Sequence, residues 1–196
     1  MVYVSVMFVS SVSVSHVTPL VPVECQVLGS LEERSSSVLL NVVCGFHYFT
    51  FPSKVGSTLL YAWVGNSGKQ YRQLCAYPFA VPGYMGGGRP GSFKPANGDV
   101  GIAGIISVIG RELAELASNP LVNAWYVGSV SIVPTEIRDL CEGLYGSGGG
   151  GGCIGNIMKD GSGQIFNMHG VNGRKFLVQS IWNPVFKACA GPNALD

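Results

Sequence analysis

The sequence predicts an α+β domain: a loop-rich chain in which one principal helix, over 101–118, packs on a mixed sheet. Three observations carry that prediction. Ile102, Ile105, Ile106, Ile109, Leu113 and Leu116 recur at three- and four-residue spacing, the period of a helix with one apolar face. Aromatic and β-branched residues gather in short runs bounded by turn residues, as in strands. Glycine accounts for 28 of the 196 residues and charged residues for only 12%, a balance that suits irregular connections between short elements.

Taken in chain order, the elements are as follows. Residues 1–37 form a Val/Ser-rich segment that ends in Glu32-Glu33-Arg34 and three serines. Its alternation of apolar and polar residues is that of a strand. Its apolar content is also weakly like a signal peptide, but no basic residue precedes the apolar run and no clear small-x-small cleavage site follows it. It falls far short of a membrane span. The main domain is placed at 38–196. Two strands are expected between Val38 and Val64, on either side of Pro52-Ser53, and a long irregular loop from Tyr77 to Gly98. Asp99 stands where a carboxylate suits the unpaired amides at the start of the helix, and Asn119-Pro120 ends it. A short helix or turn is expected around Glu136–Tyr145, followed by a flexible run of five glycines at 148–152. Beyond lie a hairpin around Asp160-Gly161-Ser162-Gly163 and a last buried strand, Lys175–Trp182.

A formal charge of +1 offers no basic field for nucleic acid or anionic lipid, so neither is expected as a partner. The six cysteines are even in number and widely scattered, which fits disulfides in an oxidising compartment better than a zinc ribbon. They allow fifteen pairings, and spacing alone selects none.

One stretch has the spacing of catalytic chemistry. Arg111-Glu112-Leu113-Ala114-Glu115 has the i, i+4 arrangement of a zinc-hydrolase helix, in which a Glu beside the first ligand is the general base toward metal-bound water. In that reading Glu112 is the catalytic base, Glu115 a metal ligand, and Glu136 or Asp139 a third ligand. The first ligand position holds Arg111, whose guanidinium has no lone pair and whose charge repels a cation. The simpler reading is an Arg111–Glu115 ion pair on a solvated helix face. Gly65-Asn66-Ser67-Gly68-Lys69 lacks the full P-loop pattern and reads as a loop. Of His16, His47 and His169, His47, set among aromatics, is the one expected to matter.

Blocks of sequence then carry a resemblance: CGFHYFTFP at 44–52, YAWVGNS at 61–67, CAYPFAVP at 75–82, NGDVG at 97–101, ELAELASNPLVNAWY at 112–126, EIRDLCEGLYG at 136–146, GRKFLVQ at 173–179 and the ending GPNALD. Together they resemble the EXORDIUM-like, or phosphate-induced protein 1, family of plants. The similarity covers roughly residues 42–196, the C-terminal portion of the family domain. It implies a secreted apoplast or cell-wall protein associated with growth and cell expansion, with an unknown extracellular partner, without catalysis and without a cofactor. The alternative is a degenerate zinc-dependent metallohydrolase with a metalloprotease-like core. The resemblance also implies a disulfide between Cys141 and Cys189, with Cys44 and Cys75 left to pair. This chain departs from the family where Arg111 replaces an expected His, where Leu40 and Tyr71 replace expected cysteines, and where Ser180 replaces an expected Trp.

Overall fold

The computed structural model describes residues 43–80, 93–128, 135–146 and 154–191. The expected segment 1–37, its boundary with the main domain and the pentaglycine run lie outside the described residues. The fold is α+β. Strands β1 (Gly45–Phe49) and β2 (Leu60–Val64) form an antiparallel hairpin in which His47 faces Ala62 across the ladder. Between them Pro52 opens a one-turn helix α1 (Pro52–Val55), closed by Gly56 at a φ of 78°, a conformation that glycine adopts without cost. A second one-turn helix, α2 (Arg72–Cys75), precedes strand β3 (Lys94–Pro95) and the principal helix α3 (Val100–Ser118). Asp99 caps α3 as its sequence position predicts, its Oδ1 accepting the Ile102 amide at 2.8 Å.

Helix α3 packs on the hairpin, but through a different face from the one its isoleucines mark. The residues it buries are Gly101, Ala103, Gly104, Ser107, Val108, Glu112, Glu115 and Leu116, whereas Ile102 is 49% exposed. The reason is close approach. A methyl group on Gly45 would lie 2.6 Å from Val108 Cγ1, and one on Gly104 would lie 2.8 Å from the Ala76 Cα. The small residues let the backbones of β1 and α2 sit directly against the helix, and the larger side chains are displaced to its flanks.

One mixed sheet was the expectation; among the described residues the strands instead form five small sheets. Only one of these is mixed: β7 (Gln164–Phe166) pairs parallel with β3 and antiparallel with β6 (Met158–Lys159), the hairpin expected around Asp160. Strands β4 (Tyr126–Val127) and β5 (Thr135–Glu136) pair with each other. So do β8 (Met168–His169) with β9 (Lys175–Phe176), and β10 (Ile181–Asn183) with β11 (Ala188–Ala190). The strand expected over Lys175–Trp182 is thus broken in two. Its middle is buried, but its backbone is satisfied by side chains: the Asn167 amide accepts from Val178 N at 2.9 Å and donates to Val178 O at 2.7 Å. That one side chain takes the place of a neighbouring strand.

The core gathers Phe79, Ala103, Tyr145, Ile165 and Leu177. Tyr145 is buried with its hydroxyl satisfied, donating to the Tyr77 carbonyl at 3.0 Å and lying 3.1 Å from Ser107 Oγ. Among the described residues two disulfides secure the framework: Cys141–Cys189, the pairing that the resemblance implied, and Cys44–Cys75, the pair expected to be left over. No helix among the described residues is long and apolar enough to cross a membrane. The outer face of the hairpin carries Phe46 stacked on Trp63 at 5.7 Å, with Tyr48 and Tyr61 opposite each other two pairs along. Phe46 and Tyr48 are exposed there.

Candidate functional site

The carboxylates that the sequence singled out converge. Glu112 and Glu115 are three residues apart, so a helix projects them from one face. In α3 that face is the buried one, and each is 1% exposed. Glu136 arrives on β5 and is buried, while Asp139 begins the 3-10 turn Asp139–Cys141 that follows. Ligand atoms of Glu115, Glu136 and Asp139 lie within 4.8 Å of one another, as do those of His47, Glu112 and Glu115.

His47 stands at the centre of this group. The alternation of β1 turns Phe46 and Tyr48 outward and His47 inward, against α3. Its Nδ1 lies 3.8 Å from Glu112 Oε2 and 3.7 Å from Glu115 Oε2, within ion-pair range but beyond hydrogen-bond range. Its Nε2 lies 3.2 Å from the Asn119 carbonyl and 3.5 Å from Glu136 Oε1. Burial alone would lower the His47 pKa; the Glu112, Glu115 and Glu136 carboxylates overcome it and hold the metal-free imidazole up to about 10.

Arg111 is the second cation. Its Nε donates to Glu115 Oε1 at 3.1 Å and its Nη2 donates to Asp139 Oδ1. The Arg111–Glu115 pair expected from the spacing is therefore present, but the solvated face expected for it is not, because Glu115 is buried. Burial opposes the Arg111 charge, yet Asp139 and Glu115 hold it well above its ordinary value. The guanidinium lies between two of the residues that the metallohydrolase reading made ligands, and the metalloprotease-like core of that reading finds no support in the architecture around it.

The two helix carboxylates differ because their partners differ. Burial would raise the Glu115 pKa, but His47 and the direct bond from Arg111 bring it below its ordinary value. Burial raises Glu112, and the opposing charges of His47 and Arg111 do not reverse it. Neither oxygen of Glu112 has a hydrogen-bond partner among the described residues. Glu136 is pushed up to about 7, first by burial.

Asn119 is the residue whose part in the site the sequence did not reveal. It marked only the end of the helix, and it does occupy the C-cap. In addition its Nδ2 donates to Glu136 Oε1 at 2.7 Å, its Oδ1 accepts from Ala124 N at 2.7 Å, and its carbonyl faces His47. A carbonyl acceptor leaves no mark in a sequence, and the burial of this polar helix-ending residue is visible only in the fold. Behind the site Arg138 donates to the Gln179 carbonyl and accepts at its own carbonyl from Gln179 Nε2 at 3.0 Å. Its charge, weakened by burial to a pKa of about 10, adds to the positive potential around Glu112 and Glu115.

Against known proteins, the phosphate-induced protein 1 conserved region matches residues 28–192. The chain is 68% identical over 154 residues to Protein EXORDIUM-like 5 of Arabidopsis thaliana, covering 79% of this chain and 42% of that protein. It is 58% identical to Protein EXORDIUM-like 3 of the same plant, covering 79% of this chain and 45% of the relative. To Protein PHOSPHATE-INDUCED 1 of Nicotiana tabacum it is 37% identical, over 66% of this chain and 41% of that one. The chain thus spans less than half the length of these relatives. No solved structure matches it.

Proposed function

Because the chain belongs to the phosphate-induced protein 1 family, we propose that it is an apoplastic cell-wall protein that promotes growth and cell expansion by binding an extracellular partner rather than by catalysis. The observation that carries this reading is the family match across most of the chain. The disulfides support it, since Cys44–Cys75 and Cys141–Cys189 belong to an oxidising compartment. The non-catalytic part rests on Arg111. A zinc hydrolase needs an open coordination position beside its base, whereas here a guanidinium engages Glu115 and Asp139, and Glu112, Glu115 and Glu136 are buried. The metallohydrolase alternative is not favoured.

The test is location. A fluorescently tagged full chain expressed in plant cells is expected to remain at the wall when the cells are plasmolysed. Fluorescence that retracts with the protoplast and fills the cytoplasm would overturn the reading.

A further inference from the structure

We propose that His47, Glu112 and Glu115 form a closed structural site for a divalent transition-metal ion, zinc above all, which ties strand β1 to helix α3. The site uses Glu112 as a ligand instead of a base and differs from the Glu115, Glu136 and Asp139 set that spacing suggested.

Four observations lead there. Nδ1 of His47 stands 3.8 and 3.7 Å from the nearest oxygens of Glu112 and Glu115, too far for hydrogen bonds. A tetrahedral ion with bonds of about 2.0–2.2 Å spaces its ligand atoms about 3.3–3.6 Å apart, so a shift of a few tenths of an ångström brings each nitrogen–oxygen pair to that spacing, and the three ligand atoms lie within 4.8 Å of one another. Next, the other ring nitrogen is already committed: Nε2 lies 3.2 Å from the Asn119 carbonyl, which holds a proton on Nε2 and makes Nδ1 the nitrogen that faces the carboxylates, where a bound metal ion would take the place of its proton. A metal-bound histidine typically donates its other ring N–H to a carbonyl or carboxylate in this way, which fixes the ring's orientation. Third, Glu112 is 1% exposed and both its oxygens lack a hydrogen-bond partner among the described residues. A buried carboxylate that no donor reaches within hydrogen-bond distance is costly even with the His47 ring at 3.8 Å, and a directly coordinated cation would offset that cost. Fourth, Glu115 divides its oxygens, with Oε1 accepting from Arg111 and Oε2 turned toward His47.

Charge is consistent with this arrangement. Asp139 takes up one edge of the Arg111 guanidinium, and the Arg111 Nε engages Glu115 through Oε1, leaving Oε2 for the ion. One imidazole and two carboxylates suit zinc, with manganese the next candidate. The set supplies three ligand atoms, and because His47, Glu112 and Glu115 are all buried, bulk solvent and substrate do not reach the ion, which makes it structural and leaves the non-catalytic reading intact. Gly45 shapes the same place: a methyl group there would come 2.8 Å from Glu112 Oε1, so only glycine lets β1 approach the carboxylate this closely.

The experiment uses the full chain, stripped with chelator, re-equilibrated with a slight excess of zinc, and dialysed. About one zinc per chain is expected by elemental analysis. Glu112→Gln, nearly the same shape, is expected to weaken binding by at least about tenfold, whereas Asp139→Asn should leave the stoichiometry unchanged. In the unmodified chain, manganese is expected to broaden the His47 ring resonances selectively, a readout that stands even if a variant fails to fold. The proposal is overturned if the unmodified chain retains no metal, if His47 is unaffected by manganese, or if Asp139→Asn abolishes binding while Glu112→Gln does not. Each of these results is independent of where the protein resides, so failure here and failure of the wall assignment are distinguishable.

Discussion

Arg111 on helix α3 donates through Nη2 to Asp139, twenty-eight residues away at the start of the 3-10 turn. The same guanidinium reaches Glu115 one turn along the helix, so one side chain joins α3 to the segment carrying Glu136 and Cys141. Arg111 is a structural cation in the position where the family's helix pattern implied a ligand. Replacing it by Met removes the guanidinium from both Glu115 and Asp139. Both members of the pair are partly exposed, so the expected loss lies between surface and buried limits, about 1–3 kcal/mol by urea denaturation. Asp139→Asn in the Arg111→Met background should restore part of it; strict additivity of the two losses would contradict the pairing.

Asn119 bonds Glu136 and Ala124 N through its side chain while fully buried. Asn119→Ala is expected to cost about 2–4 kcal/mol, since it removes a hydrogen bond to a carboxylate and a second to the backbone. A chemical denaturation midpoint unchanged from the unmodified chain would show that the network does not anchor the end of α3.

Gly45→Ala should be destabilising by about 1–3 kcal/mol, because the new methyl group meets Val108 and Glu112 at distances that require the hairpin to move off the helix. A neutral effect would mean that β1 does not lie as close to α3 as described.

The Cys141–Cys189 bridge closes a separation of 48 residues. Chain-entropy reasoning gives about 4 kcal/mol for a loop of this length, so a Cys141→Ala/Cys189→Ala variant is expected to melt well below the unmodified chain. Equal melting temperatures would assign the bridge no role in stability.

How far the sequence could be read depended on what its patterns encode. Helix α3 was legible from its period and from Asp99, but its buried face was not. Periodicity gives weight to Ile102 and Ile105, whereas the packing is decided by Gly101, Gly104 and Gly45, whose contribution is the absence of a side chain. The Lys175–Trp182 strand was foreseen as one piece because its residues are apolar or buried, and a side chain such as Asn167 standing in for a ladder partner has no sequence signature. In the site, Glu112, Glu115, Glu136 and Asp139 were all singled out from spacing and do converge. His47 was noticed for its aromatic neighbours, but its meeting with α3 is a tertiary contact between distant segments, beyond what local pattern encodes.

The wall assignment makes its most direct contact with measurement in the apoplast itself. Protein recovered from apoplastic wash fluid can be alkylated without reductant, digested and mapped by mass spectrometry. The expected result is the full chain present outside the cell with the Cys44–Cys75 and Cys141–Cys189 peptides linked. Protein found only in the intracellular fraction, with those four cysteines alkylated, would contradict it.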